Sequence, residues 1–182
     1  MKPSIQLSSG RFFNFRSFSV GDIVIADIAA SLAKLPRFTG HALYDYKVGQ
    51  HSVIVSQNVP PEHALAGLLH DATEAYINDL ARPFKLLHPS YVEYEKSRLW
   101  PAIAARFDLP EVLPACIKVA DNRALVTERR DLMPEAVDEA GEWDWAREIE
   151  PFPKRIKAVE DWRRVEAMFL RRYRQLTKGK RI

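Results

Sequence analysis

Only one cysteine occurs in the 182 residues, Cys116, so no internal disulfide framework can brace the fold. Equally missing is any run of about 18 apolar residues, which excludes a predicted transmembrane helix and leaves no membrane partner to expect. The opening stretch, Met-Lys-Pro-Ser-Ile-Gln-Leu-Ser-Ser-Gly, lacks the apolar core of a signal peptide, so a cytoplasmic location is the expectation. There is no internal repeat and no low-complexity segment. Net charge of one sign is nearly absent too, at +3, but it is unevenly spread. From Lys154 to Ile182 there are 11 Lys/Arg against 3 Asp/Glu, and the remainder carries an acidic excess. Such a basic end can bind nucleic acid. Here no aromatic-basic interleaving of the kind that stacks bases stands out, and a solvated helix face ending in Lys178-Gly-Lys-Arg-Ile182 is the preferred reading.

What is present fits one domain. An apolar fraction of 47% is ordinary for a globular chain long enough to bury a core. Ser4 to Phe15 reads as a small hairpin, with Ile5, Leu7, Phe13 and Phe15 alternating about a Ser9-Gly10 turn. Helical periodicity dominates afterwards. Asp22 can cap a helix that runs through Lys34 and ends at Pro36, and a second spans Val48 to Asn58, before Pro60-Pro61. A third covers Glu62 to Ile77. A fourth starts at the Ser90/Glu93 capping box and is kinked or restarted by Pro101 on its way to Arg106. A fifth spans Pro114 to Leu132, with Pro114 in its first turn. The last, within 154–177, carries the apolar stripe Ile156, Val159, Trp162, Val165, Phe169, Tyr173 and Leu176, which could serve core or interface. Residues 134–153 read as an acidic, tryptophan-bearing surface excursion. The class is all-α with a minor N-terminal β-hairpin.

The chemistry begins with a conflict in the third helix. Its apolar middle carries His70, Asp71 and Glu74, and burying such groups unpaired costs several kcal/mol each. His70 and Glu74, four apart, share a helix face, and Asp71 lies about 100° round from His70. A metal ion would resolve the conflict. His51 sits among Val48, Val53, Ile54 and Val55. Asp121 is flanked at helical spacing by Ile117, Ala124, Leu125 and Glu128, so it faces inward. Two imidazoles and two carboxylates from three helices suit a divalent ion: Zn, Fe, Co or Ni through imidazole, Mn or Mg through carboxylate. Open positions beside four protein ligands favour an octahedral ion over tetrahedral Zn. A zinc protease is excluded, because His70-Asp-Ala-Thr-Glu has no second histidine four residues on. Residues 36–49, with Arg37, His41, Tyr44 and Tyr46, make a plausible pocket wall. Arg37, Arg82 and Lys85 lie on the two loops most suited to flank the site, with Lys118 and Arg123 near the last ligand.

The order His51…His70-Asp71…Asp121 resembles the signature of the HD-domain metal-dependent phosphohydrolases. Gln50-His-Ser-Val53 and His70-Asp-Ala-Thr-Glu-Ala-Tyr-Ile-Asn-Asp-Leu-Ala-Arg-Pro-Phe-Lys85 are similar to motifs of the bacterial 5′-deoxynucleotidase branch. Lys118-Val-Ala-Asp-Asn-Arg-Ala-Leu-Val-Thr-Glu-Arg-Arg-Asp-Leu132 resembles the closing motif of short, often phage-borne members, which include dNTP and dATP triphosphohydrolases. The resemblance spans residues 20–133. It implies a single HD domain over 1–182, a helical bundle around the metal, and a deoxynucleotide substrate attacked at its α-phosphate. Cleavage would release phosphate or tripolyphosphate. The resemblance further implies His51, His70, Asp71 and Asp121 as metal ligands, Glu74 as acid/base, and Asp79 in catalysis or leaving-group protonation. It also implies a homo-oligomer, and allows a phage-encoded enzyme acting in the host cytoplasm. The branch's Arg-Trp pair before the first histidine has only Arg37-Phe38 as its nearest equivalent. Two other classes compete: a non-catalytic nucleotide-binding HD module, which should have lost Glu74 or a ligand, and a nucleic-acid-binding protein led by the basic C-terminus.

Overall fold

A computed structural model describes residues 2–137 and 141–179; the extreme end of the basic tail, residues 180–182, lies outside them. It is 56% helix and 5% strand, so the all-α reading holds. Strands β1 (Ser4–Gln6) and β2 (Phe12–Asn14) pair antiparallel with Ile5 opposite Phe13. The turn has three residues instead of the predicted two. Leu7 N donates to Arg11 O and Gly10 N to Leu7 O, with Gly10 at φ +82°. A type I turn closed by a left-handed glycine gives this form. The loop's Ser8 and Ser9 hydroxyls, at 2.7 and 2.9 Å, and the Ser9 amide all bond the buried Asp27 carboxylate on α1 (Ile25–Leu32). The hairpin is thereby fixed to the helices.

Asp22 does not cap α1. Its carboxylate accepts from the Ser19 amide and hydroxyl around a separate 3-10 turn, Val20–Asp22. After α1 the chain closes a loop between Pro36 and Lys47, which form an isolated bridge. Helix α2 (Val48–Gln57) follows as predicted. The third helix does not run unbroken. It is a 3-10 turn at Pro61–His63, then α3 (Ala64–Leu69) and α4 (Glu74–Ile77). Between the two helices the amides of Ala72, Glu74 and Ala75 bond carbonyls three residues back, the tighter 3-10 pattern. One-turn α5 (Arg82–Lys85) occupies the predicted loop, with Pro83 in its first turn. Helix α6 (Pro89–Tyr94) and α7 (Trp100–Phe107) are separated by a π turn, Glu95–Leu99, just ahead of Pro101. Proline has no amide to donate, so the helix restarts there.

Helix α8 (Ala115–Leu132) matches its predicted span. Helix α9 (Trp162–Thr177) starts later than the apolar stripe suggests, with Asp161 capping the Arg163 amide at 2.9 Å. Ile156 and Val159 belong to an extended strap that lies along α2 and α8. Gln50 accepts from the Val159 amide and donates to Lys157 O, each at 2.8 Å, and the Asp131 carboxylate accepts from the Ile156 amide at 2.7 Å. These bonds outweigh continuation of the helix. Val165 and Phe169 of α9 are fully buried, with Tyr173 and Leu176 against them, so the stripe serves the core.

The core gathers Phe13, Ile28, Leu32, Leu68, Leu99, Ile103 and Phe169. A second cluster of Val55, Ala66, Ile117, Ala120, Ala124 and Phe152 joins α2 and α3 to α8. Two glycines permit the close crossings. A Cβ on Gly49 would lie 3.0 Å from Val165 Cγ1 and 3.2 Å from the α1 backbone, and one on Gly67 would lie 3.3 Å from Ser56 Cα. The elements that carry His51 and His70 are brought together by this packing. Among the described residues, no helix is long and apolar enough to cross a membrane.

Candidate metal centre

Helix α2 presents His51, the tight turn after α3 presents His70 and Asp71, and the middle of α8 presents Asp121. Their polar atoms converge. His51 Nε2 lies 3.5 Å from Asp71 Oδ2 and 3.3 Å from Asp121 Oδ1, while His70 Nε2 lies 3.2 Å from Asp71 Oδ1. One donor atom each from His51, His70 and Asp121 all fall within 4.8 Å of one another. Asp71, which touches both imidazoles, completes the predicted set of four.

The outer bonds of the two rings define which nitrogen faces inward. His70 Nδ1 donates to Gly67 O at 2.9 Å, since a carbonyl can only accept. His51 Nδ1 lies 2.6 Å from Glu128 Oε1. Each ring therefore turns Nε2 to the centre, and both Nε2 atoms are buried without a well-aligned hydrogen bond. An unmade buried bond costs about 1–3 kcal/mol. Two inward-facing imidazole nitrogens beside two carboxylates could hold a divalent cation, and histidines braced by a carboxylate or carbonyl are the usual support of one.

Glu128 is the principal residue that sequence reasoning overlooked. Fully buried, it accepts from His51 and from Tyr46 Oη (2.9 Å) on one oxygen and from Arg37 Nη2 (3.1 Å) on the other. Its signal was present: it stands seven residues, two helical turns, after Asp121 and so on the same face. Burial works against its charge, but His51 and Arg37 hold its carboxyl down at about 2. His51 is pulled down by burial and Arg37, yet Glu128 and Asp121 raise it to about 9. Burial likewise opposes Asp121, while His51, His70 and Lys118 hold it well below the usual carboxylate range.

A cleft of about 460 Å³ opens onto the centre, lined by Asp71 and Asp121 together with Arg37, Glu74, Asp79, Arg82, Lys85 and Lys118. That size is typical of a small-molecule site. His41 is exposed and does not line the cleft, and Arg123 is turned away to bond Glu150 O, so neither expectation of a pocket role fits. The broken helix also changes Glu74. It opens on this cleft, while His70 borders an adjoining one, and Asp71 lines both. Glu74 Oε2 is buried with no hydrogen-bond partner, and Oε1 lies 3.8 Å from Lys85 Nζ. Burial, with Asp71 and Asp79 nearby, pushes the Glu74 carboxyl well above its usual range, and burial raises Asp79 also, despite Arg37 at 3.9 Å. Two carboxylates held charged and two biased towards protonation is a division found at acid/base sites.

The cations are engaged as well. Lys118 Nζ lies 2.8 Å and Arg82 Nη2 3.4 Å from Asp121 Oδ2, and Lys85 bonds Glu95 at 3.4 Å. Backbone strain gathers at the same rim. Phe38 and Thr39 both have φ of +53°, and Asn78, next to Asp79, has φ +76°. Non-glycine residues there cost about 1–3 kcal/mol each.

A helical protein whose buried histidines and aspartates can together hold a metal ion is the class that these features define. No protein-family model matches the chain. It is 42% identical over 139 residues to the uncharacterised protein YfdR of Escherichia coli K12, covering 76% of each chain, and it belongs to the family of that protein. An uncharacterised protein of Rhodobacter capsulatus is 38% identical over 125 residues, 63% of each chain.

Proposed function

We propose that the protein is an HD-type metal-dependent phosphohydrolase acting at the α-phosphate of deoxynucleotides. The observation that carries this reading is the pair of inward-facing, unbonded Nε2 atoms of His51 and His70, set against Asp71 and Asp121 at the floor of a cleft rimmed with cations. A divalent cation held by these four residues would polarise a phosphoryl oxygen and lower the pKa of water.

The chain's own residues supply the rest. Glu74 Oε2, buried and unpartnered, is placed to position the attacking water and, in the ionised form of the carboxyl, to take a proton from it. Asp79, whose carboxyl is biased towards protonation, is suited to return one to the nucleoside 5′-oxygen as the bond to phosphorus breaks. Arg37, Arg82, Lys85 and Lys118 offer donors for the charge on the phosphoryl oxygens. Against these four cations the cleft sets five carboxylates: Asp71, Glu74, Asp79, Asp121 and Glu142. All four cations are already paired with carboxylates, which leaves less donor capacity for the four negative charges of a triphosphate than for the two of a monophosphate.

The test is incubation with each deoxynucleoside mono- and triphosphate in the presence of Mn, Co or Mg, followed by chromatography of products. Deoxynucleoside with phosphate is the expected pair. Tripolyphosphate would shift the reading to the triphosphate reaction, and the absence of any cleaved ester with every cation would remove it.

A further inference from the structure

The excursion between α8 and α9 carries a feature that the proposed hydrolysis does not use. Trp143 and Trp145, at the 3-10 turn Asp144–Ala146, stack at 24° with ring centroids 5.9 Å apart. Both line the cleft that opens onto Asp71 and Asp121. The turn is held from below by the buried Ala146. Its return limb is bonded to α8 through Arg123 to Glu150 O (3.0 Å), Thr127 to the Phe152 amide (2.8 Å) and Arg130 to Phe152 O (3.0 Å). The Arg129 guanidinium lies 4.3 Å from the Trp143 ring, which is packed between it and Trp145.

We infer that Trp145, backed by Trp143, forms a stacking surface for the base of a nucleotide whose phosphate lies at the metal centre; the phosphate's place rests on the proposed function. A pair that only packed the excursion onto the body would bury both rings, but Trp145 remains 49% exposed. The Arg82 guanidinium lies 5.2 Å from the Trp145 ring, and this side chain is itself 46% exposed and shared with Asp121 and Asn122. An incoming phosphate competes with Asp121 and Asn122 for the guanidinium and draws it inward. The base then takes its place on the indole. Every base has a π-face, so the surface supplies affinity without choosing the base, about 1–3 kcal/mol per stacked base.

The test follows tryptophan fluorescence of the full chain, without added metal, during titration with dAMP, 2′-deoxyadenosine and 2-deoxyribose 5-phosphate, which has no base. dAMP should quench emission, 2′-deoxyadenosine should do so only at higher concentration because it lacks the phosphate that draws Arg82 inward, and the third should not. Trp145→Ala should weaken dAMP binding about tenfold and leave deoxyribose phosphate affinity, read by calorimetry, unchanged. Trp145→Phe should keep most of the affinity, which separates loss of a ring from loss of fold. Equal binding of dAMP by wild type, Trp145→Ala and Trp143→Ala would overturn the inference, as would equal quenching by the base-free ligand. Cleavage is scored separately. Esters cleaved with an unchanged KM in Trp145→Ala would sink the stacking surface alone. Ring-dependent quenching with no ester cleaved would sink the hydrolase reading alone.

Discussion

Removing the Glu128 carboxylate is the sharpest single test of how the site is held. Glu128→Ala would leave Arg37, Tyr46 and the His51 Nδ1 without their shared acceptor in a fully buried place. Breaking a buried charge cluster on one side costs about 3–5 kcal/mol. A carboxyl held at about 2 against an ordinary 4.5 corresponds to about 3 kcal/mol on its own. For a domain of this length each kcal/mol moves Tm by about 2–4 °C, so calorimetric melts of metal-free protein should fall by about 6–20 °C near neutral pH. The sign with pH follows from a depressed pKa. The contribution is fully present above about 4.5 and is lost as pH falls towards 2, so the gap between variant and wild type should close in acid. With His51 no longer braced, metal affinity in a competition assay should drop about 10–100-fold. Glu128→Gln controls for shape, because an amide accepts on only one of the two sides. A neutral-pH loss under about 2 °C, or an unchanged metal affinity, would refute the account of Glu128 as the common anchor of His51 and Arg37.

Asp71→Ala should abolish both bound metal, read by elemental analysis, and hydrolysis; retained activity would remove the metal-centred mechanism. Glu74→Ala should keep the metal yet slow turnover about 100-fold or more, and unchanged kcat would strip Glu74 of its role. Gly49→Ala forces a Cβ to within 3.2 Å of the α1 backbone, so it should destabilise by about 1–3 kcal/mol and weaken metal binding without touching a ligand. Asp131→Ala frees the Ile156 amide, and hydrogen exchange at that amide should accelerate while α9 keeps its protection.

The candidate ligands were legible because each is a polar group in a helix whose pattern demands burial, a contradiction visible in letters alone. His51 among valines and Asp121 at helical spacing from Ile117 and Ala124 are of this kind. Glu128 was harder to read, since a glutamate in a helix ordinarily faces water, and only its three donors from distant segments make it internal. The break between Leu69 and Glu74 has no proline or glycine to announce it. Local hydrogen bonding overrides an unbroken apolar pattern there, and it moves Glu74 to the cleft. The strap deceived for the opposite reason. Ile156 and Val159 extend the period of α9 by coincidence, and their conformation is set by Gln50 and Asp131, which are remote in sequence.

That strap has a mechanical consequence. It is bonded to α2 at Gln50, the neighbour of His51, and to α8 at Thr127, Arg130 and Asp131, one to three turns beyond Asp121. It works as an external splint across the two helices that face each other over the centre. Their spacing is then set in the metal-free chain, so little of a cation's binding energy would go into drawing the donors together. A single proteolytic cut between residues 153 and 160 would remove no ligand and leave every donor in the chain, yet it would release the splint. Ion capture would slow and retention would shorten, although the coordinating chemistry had not changed.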